Sequence, residues 1–235
     1  MANVVTDRGV PRLAEPPAVA AQYSMSVRKY AVELIGTFFL MFAVATSALS
    51  GGTFTPLAAG ATLMVMIYAG GHISGGHYNP AVTMAVLVRR RIGLPDAIGY
   101  WIAQIAGGLI AAVVAHAIVN PAHVTTLAPS GHALTAVALV ELLFTFALCY
   151  VVLNVATSKD HPNNFFYGLA IGFTVVAGAF AVGGISGGAF NPAVALGAST
   201  AGMFAWSTVW VYLLVEIVAG AAAGIAFRAL NPGDK

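Results

Sequence analysis

The sequence has 235 residues, of which 59% are apolar and only 8% are charged, and its formal net charge is +2. A soluble domain carries about 25% charged residues, so this composition excludes a soluble globular protein and indicates an integral membrane protein. The small net charge argues against nucleic-acid binding, and the single cysteine, Cys149, excludes a disulfide framework.

The first 25 residues differ in composition from the rest of the chain. They contain three prolines and scattered charges, and they lack an apolar core of signal-peptide length. We expect a disordered tail over 1–25 rather than a targeting signal. The remaining residues, 26–235, are expected to form a single transmembrane domain.

Six apolar runs are long enough, or nearly so, to cross a hydrocarbon core of about 30 Å. They cover 27–49, 57–74, 95–118, 133–155, 164–182 and 205–228. The runs fall into two halves of three spans each, about 27–118 and 133–228. A chain of 235 residues accommodates six such spans with short connections.

One short stretch occurs twice, 112 residues apart, at 70–83 and 182–195. Each copy is a glycine-rich turn followed by Asn-Pro-Ala and an apolar run. These runs, 79–88 and 191–200, amount to about 15 Å of helix each, so they reach only half way across a membrane. Backbone at that depth is tolerated only when it packs in protein or lines a wet cavity. We therefore expect re-entrant half-helices, with loop or interfacial segments as the alternative.

All ten basic residues fall on one side of this six-span arrangement. They are Arg8, Arg12, Arg28, Lys29, Arg89, Arg90, Arg91, Lys159, Arg228 and Lys235. The loops on the opposite side, near 50–56, 119–133 and 183–204, contain neither Lys nor Arg. The positive-inside rule therefore predicts that the basic side, with both termini and the tail, is cytoplasmic. This arrangement also requires 79–88 to return to the side from which it came.

The two halves share more than the doubled stretch. Three further pairs recur at matching positions: Glu33 with Glu141, Tyr100 with Tyr212, and Gln104 with Glu216. Because each half has an odd number of spans, the second half is inserted upside down, and the halves form an inverted repeat. The half-helices then enter from opposite sides, and Asn79 and Asn191 are expected to meet near the membrane midplane.

The paired boxes, the six spans and the paired glutamates resemble the aquaporin and aquaglyceroporin (major intrinsic protein) family over about 27–228. The box residues are Asn79, Pro80, Ala81, Asn191, Pro192 and Ala193. The first box is especially similar to those of bacterial members. The resemblance implies an all-α membrane fold of six transmembrane helices and two re-entrant half-helices. It also implies a passive channel in the cell membrane, a homotetramer with one pore per subunit, and no cofactor.

The box residues suit a pore for neutral solutes. Asparagine before a helix can cap it with its carbonyl oxygen and present its amide NH2 to the lumen. Two helix N-termini that point at one place make a positive region, which disfavours cations. For Glu33 and Glu141 the resemblance implies that they accept hydrogen bonds from the re-entrant loops, whereas Glu216 either holds the second loop or faces a subunit interface. We interpret His72 and His77 as loop-bracing or lumen residues rather than metal ligands.

One position departs from the family pattern. Most members follow the second box with arginine, and here that residue is Val194. The resemblance places the four-residue selectivity filter at Ala59, Ala179, Gly188 and Val194. None of these is aromatic or charged, although neighbouring Phe180 or Phe190 would narrow the opening if they faced it. We therefore expect a wide filter that passes glycerol, urea or neutral metalloid hydroxides such as arsenite, with one of two barriers to cations weakened.

Three alternatives stand beside this channel for water and small neutral solutes. The first is a water-selective aquaporin. A secondary transporter would need an ion or substrate site, and no span interior offers an ion pair beyond the paired glutamates. A membrane enzyme would use Ser74 or Ser186, but Ala189 stands where His77 would recur, so the repeat supplies no general base in both halves.

Overall fold

The computed structural model describes the backbone of residues 18–234 and the side chains of residues 26–234. The α-helices of this part of the chain follow in order. They are α1 (Ala18–Leu49), α2 (Thr55–Ser74), α3 (Pro80–Val88), α4 (Leu94–Val119), α5 (Gly131–Val152), α6 (Tyr167–Ser186), α7 (Pro192–Thr200) and α8 (Val209–Leu230). A π-helical turn, Leu153–Thr157, extends α5. Six helices of this part of the chain are long and apolar enough to cross a membrane, and the predicted all-α fold is confirmed.

Two helix starts differ most from the predicted boundaries. Helix α1 begins at Ala18 and so includes 18–25, which we expected to belong to the tail. Residues 1–17 lie outside the described residues, and the disordered tail stays a prediction there. Helix α8 begins at Val209 rather than 205, because the preceding residues form turns.

Helices α2 and α6 end in the same way, at the entrance to each re-entrant turn. Gly75 (φ 89°) and Gly187 (φ 85°) adopt the left-handed conformation that glycine tolerates best. The predicted fifth span stopped near 182, whereas α6 continues to Ser186. Its extension follows because Gly183 and Gly184 keep a helical backbone, and the chain turns only at Gly187.

The two repeats exchange their half-helices. Helix α1 packs against α2 and α4, and α5 packs against α6 and α8, so each half forms its own group of three spans. The half-helix α3 of the first repeat, however, packs mainly against α8 of the second, and α7 packs mainly against α4 of the first. Each half-helix therefore ties the two repeats together.

Glycines allow these crossings to be close. A Cβ atom on Gly108 of α4 would overlap the Ala193 carbonyl oxygen of α7, and one on Gly220 of α8 would overlap the Ala81 carbonyl oxygen of α3. Gly108 and Gly220 are 112 residues apart, as are Ala81 and Ala193. Small residues at helix crossings let backbones approach in membrane proteins, and here they hold the first turn of each half-helix.

The two ends of the helix bundle differ in charge. The connections 50–54, 120–130 and 201–208 lie at one end, and those at 89–93, 158–166 and 231–234 lie at the other. The first three contain no Lys, Arg, Asp or Glu, and we call their side the uncharged end. The other three carry Lys, Arg or Asp, and we call their side the charged end.

Candidate functional site

The two half-helices begin alike, with proline at the first helical position of each. The Asn79 Oδ1 atom accepts a hydrogen bond from the Ala81 N–H at 2.8 Å, and the Asn191 Oδ1 atom accepts one from the Ala193 N–H at 3.0 Å. Each asparagine therefore caps its own helix, as the sequence predicts.

The two asparagines also bond across the repeat interface. The Asn79 amide donates to the Phe190 carbonyl oxygen at 2.8 Å, and the Asn191 amide donates to the Tyr78 carbonyl oxygen at 2.9 Å. Tyr78 (φ 49°) and Phe190 (φ 48°) adopt the left-handed conformation that side chains disfavour. Since an amide carries two N–H groups, each asparagine can lock the opposite turn and still donate to a solute.

The Glu33 carboxylate anchors the first re-entrant turn with both oxygens. Its Oε1 atom accepts from the Ser74 hydroxyl at 2.7 Å and from the His77 N–H at 3.0 Å. Its Oε2 atom accepts from the Tyr78 N–H at 2.6 Å and from the Gln104 amide at 2.8 Å. Four donors from three parts of the chain thus converge on one fully buried side chain.

The Glu141 carboxylate holds the second turn with fewer partners. It accepts from the Ala189 N–H at 3.1 Å and from the Phe190 N–H at 2.8 Å. Glu216 occupies the position that Gln104 occupies in the first half, but neither of its oxygens has a hydrogen-bond donor among the described residues. Glu216 is 0% exposed, so it does not face a subunit interface, and that alternative is wrong.

Two tyrosines brace the ends of α2 and α6. The Tyr100 hydroxyl donates to the Ser74 carbonyl oxygen at 2.6 Å, and the Tyr212 hydroxyl donates to the Ser186 carbonyl oxygen at 2.7 Å. The sequence showed these tyrosines as a repeated pair but did not indicate their partners. They satisfy carbonyl groups that would otherwise be orphaned where the helices stop.

A cavity of about 30 Å³ lies beside the asparagine pair, and both halves line it. Its lining residues are Leu40, Val44, Ala59, Leu63, Gly76, His77, Asn79 and Val82 from the first half, and Leu148, Val152, Ile171, Val175, Gly188, Ala189, Asn191 and Val194 from the second. Every residue of the first set has its repeat partner in the second. The lining is aliphatic except for one histidine and two asparagines.

Three of the four predicted filter residues, Ala59, Gly188 and Val194, line this cavity, whereas Ala179 borders Gly188 from α6. Neither of the neighbouring phenylalanines belongs to the lining. Phe180 is 56% exposed, and Phe190 is buried against Phe144 with ring centroids 5.4 Å apart. The role of the four residues as a selectivity filter stays a prediction.

A second cavity of about 320 Å³ continues from the lumen toward the charged end. It shares His77 and Val152 with the central cavity and reaches Lys29 and Arg91. The His77 Nδ1 atom lies 3.0 Å from the Thr83 hydroxyl, which holds the ring against the first half-helix. His77 is buried whereas His72 is exposed, so the two histidines do not form a joint site.

A cluster of ion pairs around Asp234 lies at the charged end. The carboxylate accepts from the Arg89 guanidinium at 2.5 Å, from Arg91 at 3.2 Å and from the Lys159 N–H at 3.0 Å. Burial raises the pKa of Asp234, but the hydrogen bonds from Lys159 and Arg89 and the charge of Arg89 outweigh it. The pKa therefore lies below its ordinary value. Arg89 also stacks over the Phe227 ring, 4.4 Å from its centroid.

The family model described as Major intrinsic protein matches residues 20–227. The chain belongs to the major intrinsic protein family. The glycerol uptake facilitator protein-like 6 of Lactiplantibacillus plantarum is 40% identical over 221 residues, which cover 88% of this chain and 100% of that protein. The probable aquaporin NIP4-2 of Arabidopsis thaliana is 34% identical over 221 residues, which cover 88% of this chain and 76% of that protein.

The fold is also that of a solved structure. An X-ray structure of the aquaglyceroporin from Plasmodium falciparum superposes with a TM-score of 0.73 and 22% identity, covering 85% of this chain and 94% of that one. By its family membership, this protein is a multi-pass membrane channel of the aquaporin type. Family membership favours a channel over the transporter and the enzyme that the sequence left as alternatives.

Sequence reasoning missed much of the lumen wall. Leu40 and Val44 of α1 recur as Leu148 and Val152 of α5, at the same offset that relates Glu33 to Glu141. Leu40 and Val44 lie four residues apart, so they share one face of α1. The same offset gives Leu148 and Val152 on α5, and the two matching faces would have indicated all four wall residues. Ile171 and Val175 would have followed likewise from the offset of 112 residues.

Proposed function

We propose that this channel conducts small neutral solutes larger than water, as well as water itself. The candidates are glycerol, urea and metalloid hydroxides resembling arsenite. The observation that carries the proposal is Val194, a short aliphatic residue on the cavity wall at the position where most members have arginine. The relative named glycerol uptake facilitator protein-like 6 supports glycerol within this solute class.

The geometry suggests how such a solute would pass. A hydroxyl or urea oxygen of the solute at the midplane accepts from the free N–H groups of Asn79 and Asn191. The O–H or N–H groups of the solute donate to backbone carbonyls of the glycine-rich turns. The remaining wall is aliphatic, so the polar groups of the solute form hydrogen bonds only along this line of donors and acceptors. Pores of this kind select by their diameter and by the donors and acceptors that line them.

The exclusion of cations would rest on the half-helices. Both helix N-termini point at the asparagine pair, and the aligned backbone dipoles make that region positive. Without an arginine at 194, no fixed positive side chain among the described residues lines the central cavity. We propose that proton exclusion is therefore weaker than in a member that keeps the arginine.

The proposal includes the setting of the channel. We propose that 26–235 form one transmembrane domain, that the charged end faces the cytoplasm, and that the protein resides in the cell membrane. The positive-inside rule supports the orientation. A homotetramer with one pore per subunit is proposed from the family resemblance, and membrane lipid would cover the remaining apolar surface.

The alternative function is a water-selective aquaporin, and the small central cavity favours it. About 30 Å³ holds roughly two waters, since one water needs about 10–15 Å³. A solute the size of glycerol would therefore require side chains of the lining to move. The two functions differ in a single measurable ratio, that of glycerol to water permeability.

Purified protein in liposomes tests the proposal, with water and glycerol flux measured by stopped-flow light scattering. Val194→Arg restores the usual size and charge, and Val194→Met narrows the opening without charge. We expect glycerol flux to fall about tenfold in Val194→Arg, which corresponds to roughly 1.4 kcal/mol, and to fall less in Val194→Met. Proton leak should fall only in Val194→Arg. Wild-type glycerol flux no greater than that of a strictly water-selective aquaporin would establish the alternative.

A further inference from the structure

Glu216 is a buried carboxyl group that the pore itself does not use. It lies in α8, is 0% exposed, and does not line either cavity of the pathway. Its repeat partner Gln104 donates an amide N–H to Glu33 at 2.8 Å. The second half therefore places a carboxyl group where the first half has a hydrogen-bond donor.

The described groups around Glu216 carry no positive charge. The groups that face it are the Glu141 carboxyl, the Asn191 backbone N–H, the Cys149 thiol and the Tyr212 ring. None of the ion pairs among the described residues includes Glu216. A buried ionised carboxylate without a cation or several donors is strongly disfavoured.

The repeat places the carboxyl group of Glu216 in α8 beside that of Glu141 in α5, as it places Gln104 beside Glu33. Two ionised carboxylates cannot bond, because an ionised carboxylate is only an acceptor. A single proton held between them turns one group into a donor and removes the like-charge repulsion, as in other paired carboxyls. The pair then has the same donor and acceptor arrangement as Gln104 and Glu33.

The backbone donors decide which carboxyl holds that proton. Glu141 accepts from the N–H groups of Ala189 and Phe190, which favour its ionised form, whereas neither Glu216 oxygen has a donor that meets hydrogen-bond geometry. We propose that Glu216 is protonated and donates a hydrogen bond to Glu141, so that it positions the second re-entrant turn as Gln104 positions the first.

A series of hydrogen bonds connects the position of Glu216 to the pore. Glu141 holds the Phe190 N–H, and the Phe190 carbonyl oxygen accepts from the Asn79 amide at the midplane. Glu216 is thus a positioning residue that acts through Glu141 and never touches the solute. Its role is independent of which solute passes, because both re-entrant turns are needed for any flux.

Two substitutions separate a protonated donor from a merely space-filling side chain. Glu216→Gln supplies a permanent neutral donor of the same shape, and Glu216→Leu supplies a similar volume without a donor. The readouts are infrared spectroscopy of protein labelled with ¹³C-carboxyl glutamate and water flux in liposomes. The isotope label distinguishes glutamate from aspartate bands, and the spectrum does not depend on whether a variant conducts.

We expect the wild type to show the carbonyl band of a protonated glutamic acid and Glu216→Gln to lack it. Water flux should stay within about twofold of wild type in Glu216→Gln and fall about tenfold or more in Glu216→Leu. The proposal is overturned if the wild type lacks this band, if Glu216→Gln retains it, or if Glu216→Gln loses as much flux as Glu216→Leu. A failure to pass glycerol would contradict the proposed solute class but leave this inference standing.

Discussion

The two ends of the lumen share one backbone design but carry different side chains. Toward the uncharged end the wall contains Ala59 and Ala189, and toward the charged end their repeat partners are Ile171 and His77. Five of the eight pairs in the lining are identical in residue type. The symmetric pairs build the pore, and two of the unequal pairs give the side toward the charged end the bulkier Ile171 and the polar His77, where the other side has alanine.

The two re-entrant turns are also anchored by different numbers of hydrogen bonds. Glu33 receives four donors, whereas Glu141 receives two backbone donors and faces Glu216. The first turn, which carries His77, is therefore the more firmly held. The bulkier wall residues and firmly anchored turn on the charged side, and the alanines and less anchored turn on the uncharged side, suggest that solute size is limited differently on the two sides of the asparagines.

Removal of the carboxylates that anchor the re-entrant turns should have the largest effect on the stability of the folded protein. Glu33→Leu leaves four buried donors without an acceptor, and each costs about 1–3 kcal/mol, so we expect little folded protein. Glu141→Leu leaves two such donors and should lower the thermal unfolding temperature less. Size-exclusion profiles and unfolding temperatures in detergent measure both variants. Equal destabilisation by the two substitutions would contradict the difference in anchoring.

An exchange of side chains between the ends should have an intermediate effect. Ala59→Ile places the side chain of Ile171 at the uncharged end, and we expect glycerol flux to fall about tenfold while water flux changes less than about threefold. Ile171→Ala is the matched control at the charged end and should leave glycerol flux equal or higher. Stopped-flow measurements in liposomes give both rates. An unchanged glycerol flux in Ala59→Ile would show that the uncharged end does not limit solute size.

The ion pairs of the charged end should contribute least to the stability of the folded protein, and their contribution should depend on pH. The folded-state pKa of Asp234 is lowered, so its stabilising contribution is present above the unfolded-state value of about 3.9 and is lost as the pH falls through the folded-state pKa. Asp234→Asn should lower the unfolding temperature by about 2–4 °C at pH 7, and its difference from wild type should shrink below about pH 4.

Asp160→Asn is the control for that measurement. Asp160 lies on the same face of the molecule but is exposed and forms none of the ion pairs of the described residues. We expect its unfolding temperature to match the wild type at both pH values. A pH-independent loss in Asp234→Asn would mean that the carboxylate charge is not what stabilises the cluster.

Most of the fold could be predicted from local patterns, whereas the partners inside it could not. Apolar runs and the doubled Asn-Pro-Ala stretch predicted the six spans and both half-helices. The hydrogen bonds from Asn79 to Phe190 and from Asn191 to Tyr78 join residues more than 100 positions apart. No local pattern encodes such a contact, and the carboxyl partner of Glu216 depends in the same way on the packing of α5 against α8.

The most direct test of the wide, apolar filter is a permeability series for the unmodified protein in one liposome preparation. Water, urea, glycerol and arsenite at neutral pH would be measured beside protein-free liposomes. A filter built from Ala59, Ala179, Gly188 and Val194 predicts that all four solutes cross faster with the protein than without it. Acceleration of water alone would contradict that prediction and identify a water-selective channel.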